Sequence, residues 1–379
     1  MFRTPCKIPV MKGIDHKSYE GINTLRIHPS STSCKCSRGA AHLVSSKPAG
    51  PMIIQPLLSR RARRNRKSPI QRAAFQDTSI SPANFIYPLF IHQGEVDIPI
   101  RTMPGRYILG WRQGLIKEVA RARDAGVNSI MLYPKVPDAL KTPTGEEAFK
   151  DNGLVPRTVR LLKDRFPELV IYTDVNFDEY STTGHGGIVR EDGVILNDET
   201  IHQLCKQAVS QARAGADVVC TSEMLDGSVG AVRAALDAEG FQHVSLMSYS
   251  VYKFIVRPFS QCGIGQENIN PANSREALME AREDEAEGAD ILMVKPALPS
   301  LDIIRSLKDR IMLPIGACQV SGEYSMIKAA GLLKMIDEEK VMMESLIYLR
   351  RAGANLILTY FALHAATILC GENTKLFSN

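Results

Sequence analysis

Residues 290–296 read DILMVKP, in which four apolar residues lead directly into Lys295 and a proline ends the run. A short apolar run of this length, bounded by turn-forming residues, is typical of a buried strand. In folds built from parallel strands and helices, the functional groups lie where the strands end. The run therefore predicts both a strand and a side chain, Lys295, at the functional edge of the sheet.

The same pattern recurs along the chain from residue 84 onward. The other predicted strands are residues 84–91, 128–133, 169–175, 216–221, 243–249, 313–318 and 355–360. The segments between them have helical spacing of apolar residues: Leu115, Val119 and Ala122 share one face, and Leu204, Ala208 and Ala212 share another. Ala-Gly pairs at 125–126, 214–215 and 352–353 are expected to end helices. Eight strand–helix units predict an α/β fold, a TIM (β/α)8 barrel.

The composition agrees with a large globular protein. The chain has 379 residues, of which 44% are hydrophobic and 23% charged. This excludes a mostly disordered chain, and the absence of 18 consecutive apolar residues predicts that no helix spans a membrane. A net charge of +5 is too small to indicate nucleic acid as a partner. The eight cysteines have no regular pairing, so a disulfide framework is not expected.

Basic residues concentrate at the start of the chain. Residues 1–50 contain eight Lys and Arg but only two acids, with frequent Ser and Thr, which predicts an organelle transit peptide. Residues 59–67, SRRARRNRK, then open a segment, residues 51–83, that we interpret as an N-terminal arm contacting a partner subunit. The barrel domain is predicted over residues 84–379.

The predicted strands end in polar residues. Asp174, Ser222, Ser250, Lys295, Ser321 and Tyr360 all lie at or just beyond strand ends. Desolvation of Lys295 favours its neutral amine, which can attack a carbonyl and form a Schiff base. Lys253, beyond the neighbouring strand, is a candidate second lysine. The alternative is that the Lys295 ammonium reaches water and pairs with a carboxylate such as Asp174, and the residues alone leave both open.

Several stretches resemble porphobilinogen synthase, also called 5-aminolevulinate dehydratase, and most closely its plant plastid type. The similar stretches are residues 287–296 (EGADILMVKP), 319–324 (QVSGEY), 358–361 (LTYF), 152–157 (NGLVPR), 59–64 and 81–85. The resemblance runs from about residue 53 to residue 373. It implies a chloroplast protein of the plastid stroma, consistent with the basic leader, and a TIM barrel with an N-terminal arm, usually assembled as a homo-octamer.

The family resemblance also implies an activity and a set of site residues. The activity is a lyase reaction that condenses two 5-aminolevulinate molecules to porphobilinogen, on the route to haem and chlorophyll. By matched motif, Lys295 is the principal Schiff-base lysine, Lys253 is the only candidate for the second, and Ser321 and Tyr360 hold a substrate carboxylate. Glu280 matches the residue associated with allosteric Mg²⁺, and Asp178 is what remains of the plant metal-binding carboxylates. No catalytic zinc is expected, because the three cysteines that bind it in other members are missing.

The sequence departs from the family pattern around Lys253. The stretch 248–253, SYSVYK, is one residue longer than the family motif, and the lid that follows is about ten residues shorter. Two arginines of the family pattern are replaced here by Ser228 and Ser260. The chain is therefore interpreted as a divergent paralogue, and three functions stay open: a working Mg²⁺-dependent synthase, an impaired subunit that joins oligomers of an active relative, and an aldolase-like Schiff-base enzyme that uses Lys295 alone.

Overall fold

A computed structural model of the chain describes residues 60–252 and 269–376, and within them the predicted TIM barrel is confirmed. The strands are β1 (Phe85–His92), β2 (Ile98–Pro99), β3 (Tyr107–Gly110), β4 (Ser129–Pro134), β5 (Val170–Val175), β6 (Val218–Thr221), β7 (Ser245–Tyr252), β8 (Ile291–Lys295), β9 (Ile315–Gln319) and β10 (Leu356–Thr359). Eight of them, β1 and β4 to β10, pair in parallel in chain order, and β10 pairs with β1 to close the barrel.

One helix precedes the barrel strands, and the others follow them. They are α1 (Pro69–Ala74), α2 (Gln113–Asp124), α3 (Leu154–Arg165), α4 (Asn197–Ala214), α5 (Ser228–Ala238), α6 (Ser274–Glu287), α7 (Leu301–Lys308), α8 (Ser321–Leu332), α9 (Glu338–Ala352) and α10 (Ala362–Leu376). The predicted helix faces of α2 and α4 are confirmed, since all six of their named residues are buried. Gly215 and Gly353 end α4 and α9 with positive φ angles of 104° and 131°, a conformation that favours glycine.

The barrel interior is filled by residues at every second position of the strands. They include Met131 on β4, Tyr172 on β5, Met247 and Tyr249 on β7, Met293 on β8, Cys318 on β9 and Leu358 on β10. The intervening residues face the helices, where the larger outer core lies. This alternation decides which strand-end side chains point into the mouth of the barrel.

The sequence pattern did not predict the strands β2 and β3. β3 pairs in parallel with the end of β1, Phe90–His92, whereas β10 pairs with the beginning of β1, at Phe85 and Ile86. β3 thus continues the sheet beside β1 where the pairing with β10 has ended. A two-residue and a four-residue strand are too short to show a period in the sequence.

Residues 1–59 lie outside the described residues, so the predicted transit segment and the boundaries of the arm stay predictions. Residues 253–268, which include Lys253 and the predicted lid, also lie outside them. Across the described ranges, no helix is both long and apolar enough to cross a membrane.

Candidate active site

Lys295 lies at the mouth of the barrel and faces its interior. It continues the alternation of Ile291 and Met293, which both belong to the inner core. Its Nζ atom lies 5.2 Å from the centre of the Tyr249 ring, within the range of a favourable cation–π contact. The apolar strand thus carries the amine into a partly enclosed, aromatic environment, and the side chain is half-buried.

A pair of tyrosines from β4 and β7 lies below this lysine. The hydroxyls of Tyr133 and Tyr249 are 3.1 Å apart. Burial raises the pKa of both tyrosines well above the ordinary value, and the charge of Asp174 raises both further. Both hydroxyls therefore stay protonated at neutral pH and can act as hydrogen-bond donors rather than as bases.

Asp174 stands at the end of β5 and is buried, with 6% of its surface exposed. Its Oδ2 atom accepts a hydrogen bond of 2.9 Å from the side chain of Asn176, and its backbone carbonyl accepts one of 2.9 Å from Gln211. The helix α4 thus braces the strand that carries this carboxylate.

Ser321 and Tyr360 follow two neighbouring strands. Ser321 is the first residue of α8, directly beyond β9, and Tyr360 follows β10, whose Thr359 is in register with Gln319 of β9. The Tyr360 ring stacks on Phe90, with centroids 5.9 Å apart and planes 9° apart. The Ser321 hydroxyl at a helix N-terminus, with a phenol at the end of the neighbouring strand, suits a carboxylate ligand, since the helix end carries partial positive charge.

The ends of β9 and β10 are joined by a buried hydrogen-bonded chain. Thr359 donates to Gln319 at 2.6 Å, and Gln319 donates to Ser345 at 3.1 Å. The backbone N–H of Phe361 donates to Thr359 at 3.1 Å. These bonds fix the segment that carries Tyr360 relative to the strand that precedes Ser321.

Glu280 lies on α6 and lines a cavity of about 350 Å³ beside the barrel. Four other carboxylates line the same cavity: Glu223, Asp226, Glu276 and Asp284. Burial raises the pKa of Glu280, and repulsion from Glu283, Asp284, Asp226 and Glu276 raises it further. Tyr249, which contacts Lys295, is also part of the cavity lining, so the cavity borders the barrel mouth.

The chemistry of this cavity fits a hard cation. Repulsion among carboxylates is relieved when a cation binds between them, and oxygen ligands are those that Mg²⁺ prefers. Within residues 60–252 and 269–376, no three His, Cys, Asp or Glu side chains are arranged to hold a metal directly. A Mg²⁺ ion at Glu280 would therefore keep most of its waters.

The predicted site residues of the described ranges lie in three places: the ends of β8 to β10, the cavity that Glu280 lines, and the segment after β5. Lys295, Ser321 and Tyr360 come together at the ends of the neighbouring strands β8, β9 and β10. Asp178 lies three residues beyond β5, half-buried, and is not part of the cavity that Glu280 lines.

Four residues of the site were not among the predicted site residues: Tyr133, Tyr249, Phe90 and Glu323. Tyr133 ends a predicted strand and lies two residues after the buried Met131. Because alternate residues of a strand face the same side, this spacing could have predicted that Tyr133 faces the barrel interior. Glu323 is buried within α8, where an acidic residue in the first turn is usually a surface cap.

Comparison with known proteins identifies the family. The sequence model of delta-aminolevulinic acid dehydratase matches residues 59–368. A relative in Arabidopsis thaliana, "Probable delta-aminolevulinic acid dehydratase 2, chloroplastic", is 73% identical over 100% of this chain and 99% of its own. The chloroplastic delta-aminolevulinic acid dehydratase of Glycine max is 68% identical over 86% of this chain and 82% of its own. The word chloroplastic in these names confirms the predicted localisation.

One solved structure also matches closely. It is delta-aminolevulinic acid dehydratase (porphobilinogen synthase) from Toxoplasma gondii in complex with the reaction product porphobilinogen. Its TM-score is 0.82 and its sequence identity 42%, over 85% of this chain and 96% of that one. The barrel fold and the similarity of sequence therefore agree.

Proposed function

The chain belongs to the delta-aminolevulinic acid dehydratase family, and on that premise we propose that it is a porphobilinogen synthase. It condenses two molecules of 5-aminolevulinate to porphobilinogen with loss of water, in the biosynthesis of haem and chlorophyll. The observation that carries this proposal is the position of Lys295 at the barrel mouth, facing the interior beside Tyr249. Ser321 and Tyr360 stand at the ends of the two strands that follow.

The proposed role of Lys295 follows from its surroundings. Its amine attacks the ketone carbon of 5-aminolevulinate, water leaves, and the resulting Schiff base makes the neighbouring carbon easier to deprotonate. Ser321 and Tyr360 hold the carboxylate of this substrate and so orient the ketone towards Lys295. The protonated Tyr249 and Tyr133 offer hydrogen bonds but do not accept the proton.

The second substrate is assigned to the other side of the mouth. Lys253 is proposed to form the second Schiff base, as the family resemblance implies, although it lies outside the described residues. Asp174 stands on this side and is buried. Its carboxylate is proposed to bind the ammonium group of the second substrate through a charge-assisted hydrogen bond.

Mg²⁺ is the proposed metal. Glu280 would hold it from α6 through oxygen and water, where it offsets the repulsion among the carboxylates of the cavity. A bound Mg²⁺ would supply positive charge beside the barrel mouth. Asp178 lies outside this cavity and stays a candidate ligand for a separate metal site. Catalytic zinc is not part of the proposal. The homo-octamer, or a hetero-oligomer with an active relative, stays a proposal that rests on the family alone.

The test is an assay of the purified chain with 5-aminolevulinate and Mg²⁺, by mass spectrometry of the product. Wild type should form porphobilinogen, and Lys295→Met should reduce the rate by at least about a thousandfold, because the nucleophile is removed. Lys308→Met, at the exposed C-terminal end of α7, is the matched control and should keep the rate. If wild type is trapped by borohydride at Lys295 but yields no porphobilinogen, the impaired-subunit interpretation replaces this one. If another carbonyl compound is trapped in preference, the aldolase-like interpretation does.

A further inference from the structure

Glu323 is a buried carboxylate close to the proposed active site. It lies in the first turn of α8, two residues after Ser321, and only 1% of its surface is exposed. Its Oε1 atom accepts a hydrogen bond of 2.8 Å from the backbone N–H of Leu298, and its Oε2 atom accepts one of 2.6 Å from that of Val320. Each oxygen thus binds a different loop of the barrel mouth.

The two loops are those that carry proposed site residues. Leu298 lies three residues after Lys295, and Val320 lies directly before Ser321. A third bond, of 3.0 Å from the N–H of Ala297 to the carbonyl of Cys318, joins the first of these loops to β9. The Glu323 side chain therefore bridges the end of β8 and the beginning of α8.

A carboxylate in this position is costly. Burial raises the pKa of Glu323 to about 7, although the hydrogen bonds from Val320, Leu298 and Ala297 lower it. Within the described part of the chain, Glu323 forms no ion pair that would offset its desolvation. A glutamine would fill the same space without this cost, so the carboxylate itself has a use: only a carboxylate presents two acceptor oxygens to two N–H groups.

We propose that Glu323 is a positioning residue that fixes Lys295 and Ser321 relative to each other. It acts through the backbone of both loops and touches no reacting atom. This inference rests on the proposed function, in which Lys295 is the nucleophile and Ser321 holds the substrate carboxylate. A displacement of about 1 Å between such groups can cost about a hundredfold in rate.

The test variant is Glu323→Gln in the full chain with Mg²⁺. Glutamine keeps the size but offers one acceptor oxygen, so one of the two loop bonds is lost and an amide N–H₂ faces the other N–H. We expect the rate constant for borohydride trapping of 5-aminolevulinate at Lys295 to fall by about tenfold or more. Glu323→Asp, which keeps the charge but withdraws the oxygens by about one bond length, should show the same defect and replaces the glutamine variant if that one fails to fold.

A double-mutant cycle with Ser321→Ala separates positioning from a general loss of stability. If Glu323 holds Ser321 in place, the KM increase caused by Ser321→Ala should be several-fold smaller in the Glu323→Gln background than in wild type. Additive effects on KM, or an unchanged trapping rate, would overturn the inference.

Asp290→Asn is the matched control. Asp290 precedes β8 at the opposite end from Lys295, and its carboxylate accepts a hydrogen bond of 2.8 Å from the N–H of Leu246. Its substitution should lower the melting temperature without changing the trapping rate. A failure of the proposed function gives a different result, because wild type itself is then not trapped at Lys295. If wild type is trapped and Glu323→Gln behaves like Asp290→Asn, only the positioning role is wrong.

Discussion

The two sides of the barrel mouth differ in how their buried polar groups are satisfied. On the side formed by β8, β9 and β10, Thr359, Gln319 and Glu323 all have hydrogen-bond partners. On the side formed by β5 and β6, five residues each have a buried side-chain oxygen without a hydrogen-bond partner among the described residues: Thr173, Asn176, Gln207, Gln211 and Thr221. Ser300 is the exception on the first side.

This difference separates two ways of building a site. An unpartnered buried oxygen costs about 1–3 kcal/mol, so the β5–β6 side keeps its polarity at the expense of stability. On the β8–β10 side, hydrogen bonds among its own residues hold the functional residues in place instead. The sequence departs from the family pattern near β6 and β7, at Ser228 and after Ser248, and matches it at β8 to β10. The sequence therefore diverges from the family pattern on the side whose buried polar groups form fewer hydrogen bonds.

On the side formed by β8, β9 and β10, the stability of the protein is expected to depend on pH through Glu323. The folded-state pKa of Glu323, about 7, lies above the ordinary value of 4.5. Protonated Glu323 therefore contributes stability that is fully present below pH 4.5 and is lost as the pH rises through 7. The difference of about 2.5 between the two values corresponds to about 3 kcal/mol. In Glu323→Gln this pH-dependent loss should be missing.

The measurement is the free energy of unfolding in urea at pH 4.5, 6 and 8, at one protein concentration. The difference between wild type and Glu323→Gln should change by about 3 kcal/mol across this range. Asp290→Asn keeps Glu323 and should follow the wild-type pH dependence. Parallel curves for wild type and Glu323→Gln would show that Glu323 does not titrate in this range.

The second prediction compares two threonines at equivalent places on the two sides. Thr359 ends β10 and has two hydrogen bonds, whereas Thr221 ends β6 and its hydroxyl has none among the described residues. Thr359→Val should cost about 2 kcal/mol, because Gln319 and the N–H of Phe361 lose a buried partner. Thr221→Val should be neutral or stabilising by up to about 1 kcal/mol. Urea unfolding of both variants checks this, and equal losses would contradict the proposed difference between the sides.

The third prediction concerns substrate binding at Tyr360. Tyr360→Phe keeps the ring, which stacks on Phe90, and removes the hydroxyl. KM for 5-aminolevulinate should rise about tenfold, as expected for one lost hydrogen bond to a charged group. Tyr324→Phe is the control, since its hydroxyl donates to the carbonyl of Pro104 at 2.6 Å and serves structure. It should lower the melting temperature and leave KM unchanged, and the reverse result would remove Tyr360 from the site.

The fold was predictable because each barrel strand is a separate signal in the sequence. All eight predicted strands overlap the observed ones, and the run before Lys295 predicted both the strand and the position of Lys295 at its end. The hairpin of β2 and β3 was not predictable, because pairing with β1 and not sequence period holds such short strands. Glu323 was missed for a related reason: its burial results from contacts with loops 25 residues earlier in the chain.

A weaker effect is expected for Mg²⁺ at Glu280, which lines the cavity beside the barrel mouth. Repulsion and burial raise the pKa of Glu280, so protons compete with the cation, and stimulation by Mg²⁺ should weaken as the pH falls. In wild type, Mg²⁺ should stimulate the rate about fivefold, a typical allosteric coupling. Glu280→Gln should abolish this stimulation, while the rate without Mg²⁺ stays near that of wild type. Glu285→Gln is the control, because Glu285 is on the same helix but does not line the cavity. If Glu280→Gln keeps its full response to Mg²⁺, the ion acts elsewhere. The repulsion among the carboxylates of this cavity is then not offset by a bound metal and destabilises α6.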